Sequence, residues 1–183
     1  MEEKKEVKNT QADSGNTKKK KKRSAVSFMI EFFIKIGVTA LVVWLLCLFV
    51  VGVYVVHSNS SYPMIKDGDL CLTYKFARLN SGDEIAYVRD GRIKFGRIVG
   101  MPGDTVDMVG NNLAVNGYGV FEDAVYPTTA EGASITLPYT VPQDTYFVLN
   151  DYRDDIADSR TYGGIPKADT KGKLVLLLRR RGF

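Results

Sequence analysis

Residues 36 to 56 read IGVTALVVWLLCLFVVGVYVV, 21 consecutive residues without a formal charge. Wound as an α-helix, such a run is about 31 Å long, close to the hydrocarbon thickness of a bilayer. Val and Ile favour strands in water, but lipid leaves the backbone of an open strand unsatisfied, so the run predicts a transmembrane helix. A buried core helix is shorter and lacks such polar flanks. A cleaved secretory leader needs a shorter apolar run and a small-x-small exit, and none is evident before His57. The expectation is a retained signal anchor.

The flanks orient it. Residues 18 to 23 are KKKKKR and Lys35 precedes the run, whereas His57, Ser58, Asn59 and Ser60 follow it. Residues 1 to 35 hold 10 basic and 5 acidic side chains, and the remainder holds 15 and 16, so the excess positive charge lies before the span. Positive flanks stay in the cytoplasm. The chain is expected to be a single-pass cell-membrane protein with a cytoplasmic N-terminus, an extracellular C-terminal domain and lipid as one partner. A lysine run beside a span is a topology signal, and no nucleic-acid partner is expected.

Residues 1 to 24 carry too little apolar surface to offset ordering and predict a disordered basic tail. Residues 25 to 56 hold a membrane-proximal helix and the anchor. AVSFMIEFFIK at 25 to 35 fits a short interfacial helix or the first turns of one long helix.

Residues 57 to 183 are long enough for one domain with its own core. Their texture is β. Asp69 to Lys75 alternate, Glu84 to Val88 are apolar, and Arg92 to Val99 place Ile93, Phe95, Arg97 and Val99 on one face and Lys94, Gly96 and Ile98 on the other. Met101-Pro102-Gly103-Asp104 is a turn signal. Thr105 to Val109 and Leu113 to Val115 form a hairpin pattern, residues 118 to 134 a surface excursion, and Tyr146 to Leu149 and Gly172 to Leu178 two more strands. No helix of three turns is evident after the anchor. The fold class is mainly β, a coiled, partly closed antiparallel domain behind an N-terminal transmembrane helix.

The two cysteines, Cys47 in the span and Cys71 in a strand pattern, are expected to be unpaired. Cysteine catalysis needs a base, and the only histidine is His57. Asp151, Asp154, Asp155 and Asp158 lie close in sequence, but no cluster of His and Cys accompanies them, so neither a metal nor a cofactor is expected.

Three stretches carry a resemblance. They are Ser58-Asn59-Ser60-Ser61-Tyr62-Pro63 after the anchor; Gly96-Arg97-Ile98-Val99-Gly100-Met101-Pro102-Gly103-Asp104; and Asn150-Asp151-Tyr152-Arg153-Asp154 leading to Ala157-Asp158-Ser159-Arg160. In this order behind a signal anchor they resemble the type I signal peptidases, membrane-anchored Ser-Lys endopeptidases that remove signal peptides. The resemblance implies the signal-peptidase β fold and places the nucleophile at Ser60, with Ser58 helping to hold the oxyanion. It implies a substrate groove bordered by Tyr62, Pro63, Met64, Ile65 and Phe95, and structural roles for Arg97, Asp104, Asp158 and Arg160.

The departures bear on chemistry. The family's methionine after the nucleophile is matched by Ser61, its general-base lysine by Gly96, and the serine that orients that lysine by Ile156. A serine hydroxyl is a weak nucleophile without a base, and glycine accepts no proton. Lys94, two residues away on the same strand face and about 6.6 Å along it, is a possible surrogate base. His57, three residues from Ser60, is confined beside the membrane, where a surface role is the simpler reading. Glycine at the lysine position resembles the signal-peptidase-like proteins of Gram-positive pilus operons. That resemblance implies an accessory factor, a chaperone-like pseudoenzyme of sortase-dependent pilus assembly, binding a major pilin precursor or a pilus sortase through a degenerate cleft with little or no hydrolysis. An aspartate stands at the nucleophile position in the best-known type, so Ser60 keeps the alternative open: an active signal peptidase with a displaced base such as Lys94.

Overall fold

The computed structural model describes residues 25–120 and 126–179. The basic tail, the 18–23 lysine run and the final Arg180 to Phe183 lie outside the described residues, and the expected surface excursion falls partly outside them. The chain divides into two units, residues 1–40 and 41–183.

One continuous helix, α1 (Ala25–Phe49), covers the first described stretch. Its exposed Val, Leu, Ile and Phe side chains and a mean hydropathy of 2.4 make it long and apolar enough to cross a membrane. The segment at 25 to 35 is thus the start of the same helix. The end of the span differs from expectation. The helix stops at Phe49, and Val51–Val55 is a strand, β1, paired antiparallel with β2 (Leu70–Tyr74). The β-branched preference of that valine run is realised here because β2 supplies the hydrogen-bond partners that lipid cannot. The domain therefore begins before residue 57.

The remaining strands are β3 (Glu84–Arg89), β4 (Arg92–Gly100), β5 (Thr105–Val109), β6 (Asn112–Val115), β7 (Tyr118–Gly119), β8 (Tyr139–Thr140), β9 (Thr145–Leu149), β10 (Ile165–Pro166) and β11 (Thr170–Leu178). They form a seven-stranded antiparallel sheet ordered β1-β2-β11-β3-β4-β9-β10 and a four-stranded sheet ordered β7-β6-β5-β8. The mainly β fold matches the sequence reading. β4 carries a register shift between Ile98 and Gly100, so its faces do not alternate to the end. Phe95 packs with Val56, Ile65, Cys71 and Ala86; Ile98 packs on the other face with Ile85, Tyr87, Val148 and Ile165. Val99 joins a third cluster with Val106, Leu113 and Phe147. Each fully buried aliphatic or aromatic side chain contributes about 1.5–3 kcal/mol. Cys47 and Cys71 are unpaired, and burial together with nearby Asp69 and Glu84 pushes the Cys71 thiol up to about 11.

The only other α-helix among the described residues is one turn, α2 (Ser159–Tyr162), capped by the Asp158 carboxylate accepting from the Arg160 backbone N–H at 2.9 Å.

Candidate active site

Ser58 and Ser60 lie on the loop joining β1 to β2. The ladder closes that loop at its neck, where Val56 N–H donates to Asp69 O and Gly68 N–H donates to Val56 O, each at 2.9 Å. Within the loop, Tyr62 N–H donates to Asn59 O, Ile65 N–H to Ser61 O, and Asp67 N–H to Asn59 Oδ1. These turns present Ser58 Oγ and Ser60 Oγ to solvent 3.0 Å apart. The Ser60 carbonyl is clamped from behind by Tyr152 N–H at 2.9 Å. The two hydroxyls that the sequence singles out are thus brought together. One of them can attack a carbonyl while the other meets the charge that develops.

Arg97 supports the clamp. It donates from Nε and Nη2 to the two carboxylate oxygens of Asp151, at 2.8 and 2.6 Å, a bidentate pair one residue before Tyr152. The same guanidinium reaches Gly82 O, Met64 Sδ and, at 3.6 Å, the Glu84 carboxylate. Arg179 fixes the far side of the loop by donating to Met64 O at 2.7 Å.

Lys94 does not bond to Ser60. Its Nζ donates to Ala157 O at 3.2 Å and to Tyr162 Oη at 3.1 Å, and it lies 5.1 Å from the Tyr162 ring centre. No carboxylate pairs with it among the described residues. Ala157 adjoins Ile156. Gly96 has no room for a side chain: a Cβ there would lie 2.7 Å from Val148 Cγ1 and 3.1 Å from Leu149 O.

Two expected groove residues are corrected. Ile65 is 0% exposed and Phe95 is 4% exposed, and they pack in one cluster. Both are apolar residues on inward faces, and the core takes them. Tyr62 and Met64 stay exposed on the loop. The Asp104 carboxylate accepts from Met101 N–H at 2.7 Å and from Asn116 Nδ2 at 2.9 Å, across the Pro-Gly turn. Asp158 and Arg160 form a wholly buried pair, with Asp158 also accepting from Asn150 N–H. The Asp151 to Asp158 segment gathers no metal-binding group among the described residues.

The sequence reading passed over Glu84 and the burial of Ser61. Glu84 opens a buried strand with a 3% exposed carboxylate. A charged residue starting an apolar run was the available signal. Desolvation, then the neighbouring Asp151 charge, push its carboxyl up to about 8, against the opposing effects of Arg97, Ser61 and Arg153.

The family model "Signal peptidase, peptidase S26" matches residues 29–178. Signal peptidase I P of Bacillus subtilis subsp. natto is 29% identical over 163 residues, covering 81% of this chain and 85% of the relative. Signal peptidase I T of Bacillus subtilis strain 168 is 29% identical over 180 residues, covering 87% and 89%. A crystal structure of a signal peptidase I from Enterococcus faecalis V583 has 30% identity and a TM-score of 0.47, covering 54% of this chain and 98% of that one. The family model and the two Bacillus relatives favour the peptidase alternative, and the pilus-specific subgroup finds no support in them. An anchor helix, a β domain and a family match running through both make the chain a membrane-anchored member of the signal peptidase family, peptidase S26.

Proposed function

We propose that the protein processes the signal-peptide region of exported precursors at the outer surface of the cell membrane, as a serine endopeptidase with Ser60 as nucleophile and Ser58 as oxyanion donor. The observation that carries the reading is the pair of hydroxyls 3.0 Å apart on a loop clamped by Tyr152 N–H. In the reaction, Ser60 Oγ attacks the scissile carbonyl, its proton passes to a base, and Ser58 donates to the oxyanion. Lys94 is the base in this reading. To act, Lys94 leaves Ala157 O and Tyr162 Oη and leans toward the loop. A surface for lipid supports the membrane placement. Val53, Leu72 and Leu176 form one cross-strand row and Val55, Leu70 and Leu178 the next, and the β1 and β11 members are about half exposed. The positive-inside pattern of the flanks supports an inside N-terminus.

A second reading is favoured by Gly96, where the family lysine would stand and where a side chain meets Val148. In that reading the protein holds a pilin precursor or a pilus sortase without cleaving it, using Tyr62 and Met64 at the loop surface. The test is cleavage of a membrane-presented, signal-peptide-bearing precursor by native protein, Ser60→Ala and Lys94→Ala, with the product end mapped. Cleavage by the native protein that both substitutions abolish supports the peptidase with Lys94 as base. No cleavage by the native protein, with unchanged pilus assembly by Ser60→Ala, supports the second reading.

A further inference from the structure

Below the serine loop lies a buried cluster that the proposed chemistry does not use. Ser61, the residue after Ser60, is 3% exposed, and its Oγ has no hydrogen bond of ordinary length. Both carboxylate oxygens of Glu84 are likewise buried without one. The groups facing Glu84 are Ser61 from the loop, Cys71 from β2, Tyr87 on β3 itself, Arg97 from β4, and Asp151 and Arg153 after β9. On its other side β3 pairs with β11, whose nearest charge, Lys173, is taken by Asp83 at 2.6 Å.

We infer that Glu84 is a positioning residue for the Ser58–Ser60 loop, and that its protonation state sets how firmly Tyr152 N–H holds the Ser60 carbonyl. The inference rests on Ser60 being the working residue of the site. As a neutral acid, Glu84 donates its O–H to Ser61 Oγ, which satisfies two buried groups at once. Arg97 Nη2 is then not drawn toward Glu84 and away from Asp151, and Asp151 holds Tyr152 in place. As a carboxylate, Glu84 competes for the same Arg97 Nη2, which lies 3.6 Å from Glu84 and 2.6 Å from Asp151. Weakening the Arg97–Asp151 pair loosens the clamp on Ser60. Burial pushes the Glu84 carboxyl up to about 8, so the switch falls within the range an extracellular surface meets.

The experiment is hydrogen exchange on the full chain in detergent, resolved at the Tyr152 amide and corrected for the intrinsic pH dependence of exchange. In the native protein, protection at Tyr152 falls about tenfold between about pH 7 and about pH 9. Glu84→Gln mimics the neutral acid, keeps a donor for Ser61, and shows protection independent of pH. The Ser61 hydroxyl bonds the ionised carboxylate, by donating to it, more strongly than it bonds the neutral acid, so in Ser61→Ala the fall moves to higher pH. A native protein with flat protection overturns the inference. So does an equal fall in Glu84→Gln or an unmoved midpoint in Ser61→Ala. The readout needs no cleavage: a protein that hydrolyses nothing can pass it, and an active peptidase can fail it.

Discussion

Gly96 offers a direct test of how closely the sheet is packed behind the serine loop. Its neighbour Val148 is 0% exposed and locked among Ile85, Tyr87, Ile98 and Ile165, so it cannot turn aside for a new methyl group. The Cβ of Gly96→Ala would lie 2.7 Å from Val148 Cγ1 and 3.1 Å from the backbone oxygen of Leu149. Overpacking of this kind costs about 1–3 kcal/mol. Reduced freedom of the unfolded chain offsets about 0.4–1 kcal/mol. The net expected loss is about 0.5–2 kcal/mol. Val148→Ala alone loses about 2 kcal/mol of buried methyl contact. The two together lose less than their sum, because the alanine at 96 occupies part of the space vacated at 148, giving a coupling of about 0.5–2 kcal/mol. The assay is urea unfolding of the four full-length proteins in detergent, followed by the circular dichroism of the strands. A Gly96→Ala protein as stable as native, with an additive cycle, refutes the packing argument. The same geometry predicts that Gly96→Lys loses stability and gains no cleavage, because its stem starts against Val148; a gain of cleavage contradicts it.

Three further outcomes are expected. Asp158→Ala leaves Arg160, which is 0% exposed, without its carboxylate and removes the acceptor of Asn150 N–H, at a cost of about 3–5 kcal/mol in the same unfolding assay. Glu84 carries a proton in the folded state up to about 8 but ionises near 4.5 when unfolded, so its contribution is fully present below 4.5 and is lost as pH rises from there to about 8. That loss reaches about 1.4 kcal/mol per pH unit, and urea titrations of Glu84→Gln across the window lack this part of the slope. Protease added to intact cells or spheroplasts digests the region after residue 57 and spares residues 1–35; a protected C-terminal tag contradicts the orientation.

Periodicity and turn chemistry made most of the β domain legible. β3, β4, the β5–β6 hairpin, β9 and β11 all appear in the sequence as apolar or alternating runs between Gly, Asn and Pro signals. The β1 strand was not legible, because Val51 to Val55 continue an apolar run without a break and only the partner strand β2, 15 or more residues on, shows that the backbone has somewhere to bond. At the site, the two serines and the Arg97, Asp104, Asp158 and Arg160 framework follow from motif order. Strand alternation separates Phe95 from Lys94, but it cannot show that Phe95 and Ile65 meet each other in the core. Nor can spacing show that Lys94 is held by Ala157 O and Tyr162 Oη, partners more than 60 residues away. The burial of Glu84 and Ser61 depends on tertiary packing in the same way.

The central claim is that Ser60 performs peptide hydrolysis. The most direct measurement is kcat/KM for a membrane-presented, signal-peptide-bearing precursor, native against Ser60→Ala, with the product sequenced to establish a single cleavage site. The account predicts one discrete cut by the native protein and a loss of at least about a thousandfold on Ser60→Ala, equivalent to about 4 kcal/mol of transition-state stabilisation. Equal rates for the two proteins, or no cut by either, contradict it.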